Sequence, residues 1–215
     1  MAERYKDKLV ATKQAWARAG RLLTGTAGDP VHDRLPPGQR LVENWPVLDL
    51  GVQPAVATAD WQLTVDGLVA APLRWSFADL LNAPQFEDTS DIHCVTQWSR
   101  YDNRWTGVST QYLLNLVKPL PTAAHLILHA YDGYTTNVTL AQFSDDDCLL
   151  AHAHDGVPLS REHGGPVRLV IPRYYLWKSA KWLRRIEFVG ADRPGFWETR
   201  GYHNFADPWL EQRYG

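Results

Sequence analysis

The chain has 215 residues, enough for a single domain with a sizeable core, and its 22 Lys and Arg nearly balance 24 Asp and Glu. That balance gives no sign of a nucleic-acid partner, and no apolar run is long enough to span a bilayer. The opening MAERYKDKLV has neither the apolar stretch of a secretory leader nor a twin-Arg pair, so a cytoplasmic protein with both cysteines reduced is expected.

Residues 1–39 form an arm: a charged, helix-favouring stretch (Lys6, Lys8, Lys13, Arg18) ending near Gly20, then a Gly/Pro-rich linker from Gly25 to Gly38. The body spans 40–195. Trp61 to Val69 alternates like a strand and breaks at Asp66-Gly67. Ser76 caps a short helix from Phe77 to Leu81, and Glu87 to Asp91 is a polar turn. A second short helix, Thr110 to Leu116, follows a break at Gly107. Strand-like runs start at His125, Tyr134, Cys148, Val167 and Ile186, with turns at Asp132-Gly133 and Asp155-Gly156. Many short strands with few short helices predict a single α+β domain of mixed sheets rather than alternating βαβ units. Residues 196–215 form an aromatic tail packed on the body. The ten Trp and nine Tyr are explained mainly by a Trp-rich core, although such rings also wall cofactor pockets.

Cys94 is the most informative residue. It lies in Ile92-His93-Cys94-Val95-Thr96-Gln97-Trp98-Ser99, after the polar turn and before Arg100, Tyr101, Arg104 and Trp105. One His and several cations nearby favour a thiolate, the soft ligand that a redox-active metal centre needs. Cys148, at a strand start, is explained as a small buried hydrophobe.

Two further stretches point to an anionic ligand. His163-Gly-Gly-Pro-Val-Arg168 places a cation inside a β-branched strand, where it needs an anion or a dipole. Arg grips phosphate in bidentate geometry, and an internal carboxylate partner fits the pattern equally well. Trp177-Lys178-Ser179-Ala180-Lys181-Trp182 is a solvated turn if taken alone; beside Arg168 it becomes a plausible phosphate cradle. Asn44, in Val42-Glu43-Asn44-Trp45-Pro46-Val47-Leu48, offers a donor and an acceptor to a heterocycle, or is simply a turn residue.

HCVTQWS with WTGV (93–108), DGYTTN (132–137), HGGPVRLVIP (163–172) and KSAKW (178–182) resemble, in order and spacing, the sulfite-oxidase-type molybdopterin-binding family over roughly residues 40–190. The likeness is to its small single-domain prokaryotic branch, which includes relatives of the catalytic subunit of periplasmic methionine sulfoxide reductase. The resemblance implies a sulfite-oxidase molybdopterin-binding fold, molybdenum held by one molybdopterin and by Cys94, and oxygen-atom transfer to or from a small S-oxide, N-oxide or sulfite-like substrate. It makes His163 and Arg168 pterin and phosphate contacts and assigns Ser179, Ala180 and Lys181 to the phosphate-binding turn. Asn44, Val47, Leu48 and His129 align with further cofactor contacts. Trp98, Arg100 and Tyr101 are placed to line the substrate mouth, whereas Arg104 reads as a surface residue. Val-Thr-Gln-Trp after Cys94 differs from the Ala-Gly-Asn-Arg of true sulfite oxidases, which argues against sulfite. With no motif for haem, flavin or iron–sulfur, electrons are expected to pass through a separate electron-transfer protein.

Three other readings compete. A cysteine-nucleophile enzyme could use Cys94, although His93 on an extended strand points to the opposite face. A zinc site could draw on His152, His154 and Cys94. A non-catalytic molybdopterin carrier would keep the fold without turnover.

Overall fold

The computed structural model describes residues 2–19, 26–27 and 34–215, so the linker expected from Gly25 to Gly38 lies largely outside the described residues. In chain order the elements are α1 (Ala2–Ala19), β1 (Thr26–Ala27), β2 (Arg40–Leu41), β3 (Gln62–Gly67), β4 (Leu73–Ser76) and α2 (Phe77–Asn82). There follow β5 (Phe86–His93), β6 (Trp98–Ser109), α3 (Thr110–Val117), β7 (His125–Ala130), β8 (Thr135–Thr139) and α4 (Leu140–Phe143). The chain ends with β9 (Leu149–His154), β10 (Val157–Pro158), β11 (Arg168–Val170), β12 (Leu183–Val189) and an irregular tail. Among these residues no helix is long and apolar enough to cross a membrane.

The strands form two mixed sheets. One runs β4-β3-β12-β7-β8, with β12 parallel to β3 and antiparallel to β7. The other runs β1-β2-β6-β9-β10, with β5 paired to β6 and β11 to β9. Side chains alternate across strands β9 and β11. Leu150 and Leu169 enter a core shared with Leu126 and Ile186 of the β4-β3-β12-β7-β8 sheet. Leu149, Ala151 and Val170 face a second apolar cluster with Trp98, Trp105, Tyr175 and Trp177. The functional cavity opens on that second face.

The helix expectations hold closely. Ser76 caps α2 through a capping box with Asp79, and Ser109 caps α3 by accepting from the Tyr112 N–H. Two expectations are corrected. Glu87 to Asp91 is strand, not turn: β5 pairs antiparallel with β6 from Phe86↔Gly107 to His93↔Ser99. Its polar sequence conceals this, because β5 has a single strand neighbour and its charges find partners laterally, as Asp91 does with Arg34 at 2.7 Å. Gly107 is no break either. It lies within β6, where an added Cβ would sit 2.1 Å from the Leu150 carbonyl oxygen of β9, so only glycine permits that approach.

Candidate active site

The Cys94 backbone N–H donates to the Trp98 carbonyl at 2.8 Å, and the Gln97 N–H donates to the Cys94 carbonyl at 3.0 Å. This tight turn, with Gln97 at φ +67°, joins β5 to β6 and holds the thiol at the edge of the second apolar cluster. Cys94 Sγ lies 3.1 Å from the Thr96 hydroxyl. Burial pushes the thiol upward, against the opposing hydrogen bonds of Thr96. The expectation that sequence neighbours make it a thiolate is therefore corrected. His93 sits on the other side of the strand, bonded to Ser99 Oγ at 2.8 Å, and burial drives it down to about 4.

Cys94 opens onto a cleft enclosing about 930 Å³ of atom-free space, part of it continuous with solvent. The same cleft is lined by Trp98, Leu48, His163, Arg168, Ser179, Ala180 and Lys181. These residues come from five separate segments, and the fold brings them together.

Arg168 shares its β11 face with Val170 and is buried, yet it has no carboxylate partner among the described residues. Its guanidinium donates to the carbonyls of His163 (2.9 Å), Ser179 (3.0 Å) and Leu169 (3.3 Å). It also lies over the rings of Trp45 and Trp105, at 5.4 and 5.9 Å. Desolvation pulls it down to about 9. Lys181 Nζ donates to the Glu162 carbonyl at 2.8 Å and is pulled down to about 7, by burial first and then by the Arg168 charge. His163 stacks on Trp45 with ring centroids 3.8 Å apart and is held near 4 by burial and by Arg168 and Lys181, so it is neutral at pH 7. Gly164, at φ +105°, makes this clustering possible: a Cβ there would meet Lys181 Cβ at 2.9 Å and Arg168 Cβ at 3.1 Å.

The rest of the Lys178–Lys181 turn behaves differently. Its backbone N–H groups at Ser179 and Ala180 are consumed internally, by the carbonyls of Leu176 and Lys178, and Ser179 Oγ accepts from the Ile171 N–H at 3.0 Å. Lys178 points away from the cleft to Glu198, 2.6 Å distant.

Several expected site residues do not reach the cleft. Asn44 and Val47 are exposed; the inward groups of that segment are Trp45, Pro46, Leu48 and Asp49. His129 is on β7 in the other sheet and bonds Glu187 at 3.1 Å. Arg100 runs up β6 to Asp155, at 3.1 Å, and to His154, while Tyr101 lies under Arg34. Each residue along a strand advances about 3.3 Å, so proximity to Cys94 in sequence carries these two away from it. Sequence reasoning also missed Lys13, Asp132, Trp197 and Tyr202, which reach the cleft from α1, the β7–β8 turn and the tail. Nothing local in those segments signals it.

The competing metal sets do not assemble. His152 bonds Gln85 at 2.9 Å and His154 meets Asn103 at 3.2 Å, both without Cys94. Among the described residues the only three-ligand cluster is Asp145, Asp147 and Cys148. Arg173 already neutralises those carboxylates, at 3.6 and 2.9 Å, and burial pushes the Cys148 thiol far up.

A soft thiol at one part of the cleft and cations satisfied only by carbonyl dipoles at another are the kinds of group that suit a thiophilic metal and an anion. Trp98 Nε1, buried without a partner, leaves one more donor unspent at its wall. Residues 50–197 match the oxidoreductase molybdopterin-binding domain, and the chain belongs to that family, whose cofactor is molybdopterin with molybdenum. The uncharacterized oxidoreductase YuiH of Bacillus subtilis is 47% identical over 182 residues, covering 84% of this chain and 92% of that one. The protein-methionine-sulfoxide reductase catalytic subunit MsrP of Campylobacter jejuni is 27% identical over 165 residues, 66% of this chain and 53% of its own length. The sulfane dehydrogenase SoxCD of Paracoccus pantotrophus superposes with a TM-score of 0.59 at 25% identity, over 65% of this chain and 40% of that one. The chain is thus a molybdopterin oxidoreductase of the sulfite-oxidase type, with its mixed-sheet single-domain fold.

Proposed function

We propose that the chain moves an oxygen atom to or from a small S-oxide, N-oxide or related substrate, with Cys94 as the protein ligand of molybdenum. The observation that carries this reading is the opening of Cys94 Sγ onto the same cleft as Arg168 and Lys181. When bound, the cofactor supplies two-electron redox chemistry at its metal. A metal cation reverses the effect of burial on the thiol, since coordination removes the proton outright. Thr96 then hydrogen-bonds the sulfur and moderates its charge. Arg168 and Lys181 would hold the phosphate of the pterin, whose negative charge would offset the cost that burial places on each cation. His163, neutral and stacked on Trp45, presents a ring face and one N–H to the pterin. Trp98 offers its free N–H to an oxygen in the cleft. MsrP is by name a sulfoxide reductase subunit, which favours an S-oxide substrate here and a separate electron-transfer protein. A cytoplasmic location belongs to the same proposal.

Cys94→Ser should abolish turnover with S-oxides and N-oxides and lower the molybdenum content of purified protein, with the fold intact by circular dichroism. Full activity in that variant would refute the ligand role. Wild-type protein that binds pterin but turns over no S-oxide, N-oxide or sulfite would favour the carrier reading.

A further inference from the structure

Helix α1 precedes the family-matched span of residues 50–197, yet it supplies one wall of the cleft. Val10 and Ala17 are buried, and Lys13 lies between them at helical spacing, on the same inward face. A lysine on the inward face of a helix needs a reason. Lys13 lines the cleft with Cys94, Asp49 and Lys181, and burial there lowers its basicity. Asp49 acts on it through charge at a distance, not through a hydrogen bond. Asp49 is already engaged by the Gln53 side chain at 2.7 Å and by the Gly51 N–H at 2.8 Å.

The C-terminal tail clasps this helix. Gln14 Nε2 donates to the Arg200 carbonyl at 3.0 Å, and Tyr214 donates its hydroxyl to the Gln14 carbonyl at 3.3 Å. Arg18 lies 5.2 Å over the Tyr214 ring, and Lys6 lies 5.2 Å over Phe196. The helix is thereby fixed over the cleft with its one inward ammonium beside that of Lys181.

We infer that Lys13 is a third cation of the cofactor site, which acts with Arg168 and Lys181 to retain the anionic cofactor beneath α1. This rests on the proposed cofactor-binding role of the cleft. Asp49 and Asp132 share the space with Arg168, Lys181 and Lys13, so a phosphate monoester carrying about two negative charges needs every one of those three cations.

The test is retention. Wild-type, Lys13→Gln and Lys13→Arg proteins are loaded in a molybdate-supplied host, and molybdenum and oxidised pterin per chain are followed during prolonged dialysis. Loss of one charge-assisted contact should make Lys13→Gln shed both about tenfold faster, with Lys13→Arg close to wild type. Equal retention in Lys13→Gln and wild type overturns the inference. So does equally fast loss from both variants, which would assign the effect to helix packing. A raised KM with retention unchanged also overturns it, and would make Lys13 a substrate contact. Wild-type protein that never carries molybdenum or pterin instead defeats the functional reading itself.

Discussion

Lys178 and Lys181 are three residues apart in one turn, and they occupy opposite electrostatic worlds. Lys178 is wholly buried against Glu198 at 2.6 Å, with the Asn137 carbonyl and side-chain oxygen at 2.8 and 3.0 Å. The same Glu198 oxygen accepts from Thr136 and the Trp177 indole, so one carboxylate ties β8, the turn and the tail together. Lys181 and its neighbour Arg168 have only carbonyls. A buried cation with a carboxylate is complete and belongs to the architecture. A buried or half-buried cation with carbonyls alone lacks a counter-charge, and on the proposed function the ligand supplies it.

The largest expected effect tests that division. Lys178→Met strands Glu198 as an uncompensated buried charge and should cost about 3–5 kcal/mol in urea unfolding, with much of it recovered by adding Glu198→Gln. Arg168→Met in cofactor-free protein removes three hydrogen bonds but also an unpaired buried charge, so its net cost should stay within about 2 kcal/mol while cofactor loading collapses. Equal destabilisation by both variants would break the contrast.

A smaller effect is its pH dependence. In cofactor-free protein Lys181 titrates at about 7 against 10.5 when unfolded. Between those values the unfolded chain binds the proton and the folded chain does not, so stability should rise with pH across that window. Below about 7 both forms are protonated and the unfavourable burial of the ammonium is felt in full. His163, near 4 against 6.5, adds a separate rise at lower pH. Urea midpoints at a series of pH values should show both rises, and Lys181→Gln should flatten the part above neutrality that it contributes. Because an anion restores the Lys181 charge, inorganic phosphate should bind more weakly as pH rises above 7. Phosphate affinity independent of pH in the wild type would contradict the assignment.

How much of this was legible in the sequence depends on whether the signal was local. Arg168 could be found because a cation within a β-branched strand is anomalous wherever it occurs, and His163 because it opens the Gly-Gly-Pro turn that feeds that strand. Cys94 could be found for its type and setting, although the cations it shares a cleft with, Lys13, Arg168 and Lys181, are not its sequence neighbours. Arg100 and Tyr101 misled because nearness along a strand is not nearness in space. Within the 42–48 segment the polar Asn44 is exposed, whereas Trp45 and Leu48 face the cleft. Lys13 and Tyr202 were invisible because they reach the cleft only through the docking of α1 and the tail. The helices were legible through their caps; the β5–β6 hairpin was not, because the polar residues of β5 mask its period.

Trp45 gives the smallest and most discriminating prediction. Its ring stacks on His163 at 3.8 Å, lies 4.6 Å from His154 and sits below Arg168, so it fixes the orientation of the incomplete site without completing any charge. Trp45→Leu should cost about 1 kcal/mol of stability, the value of an aromatic pair beyond its buried area, and lower the melting temperature by about 2–4 °C. Its effect on cofactor retention should exceed that modest loss, because a freed His163 ring no longer holds one face toward the pterin. Trp45→Phe preserves a stacking surface and should restore most of the retention. If the Leu and Phe variants retain cofactor equally well, orientation of His163 is irrelevant and the cations of the cleft alone define the ligand site.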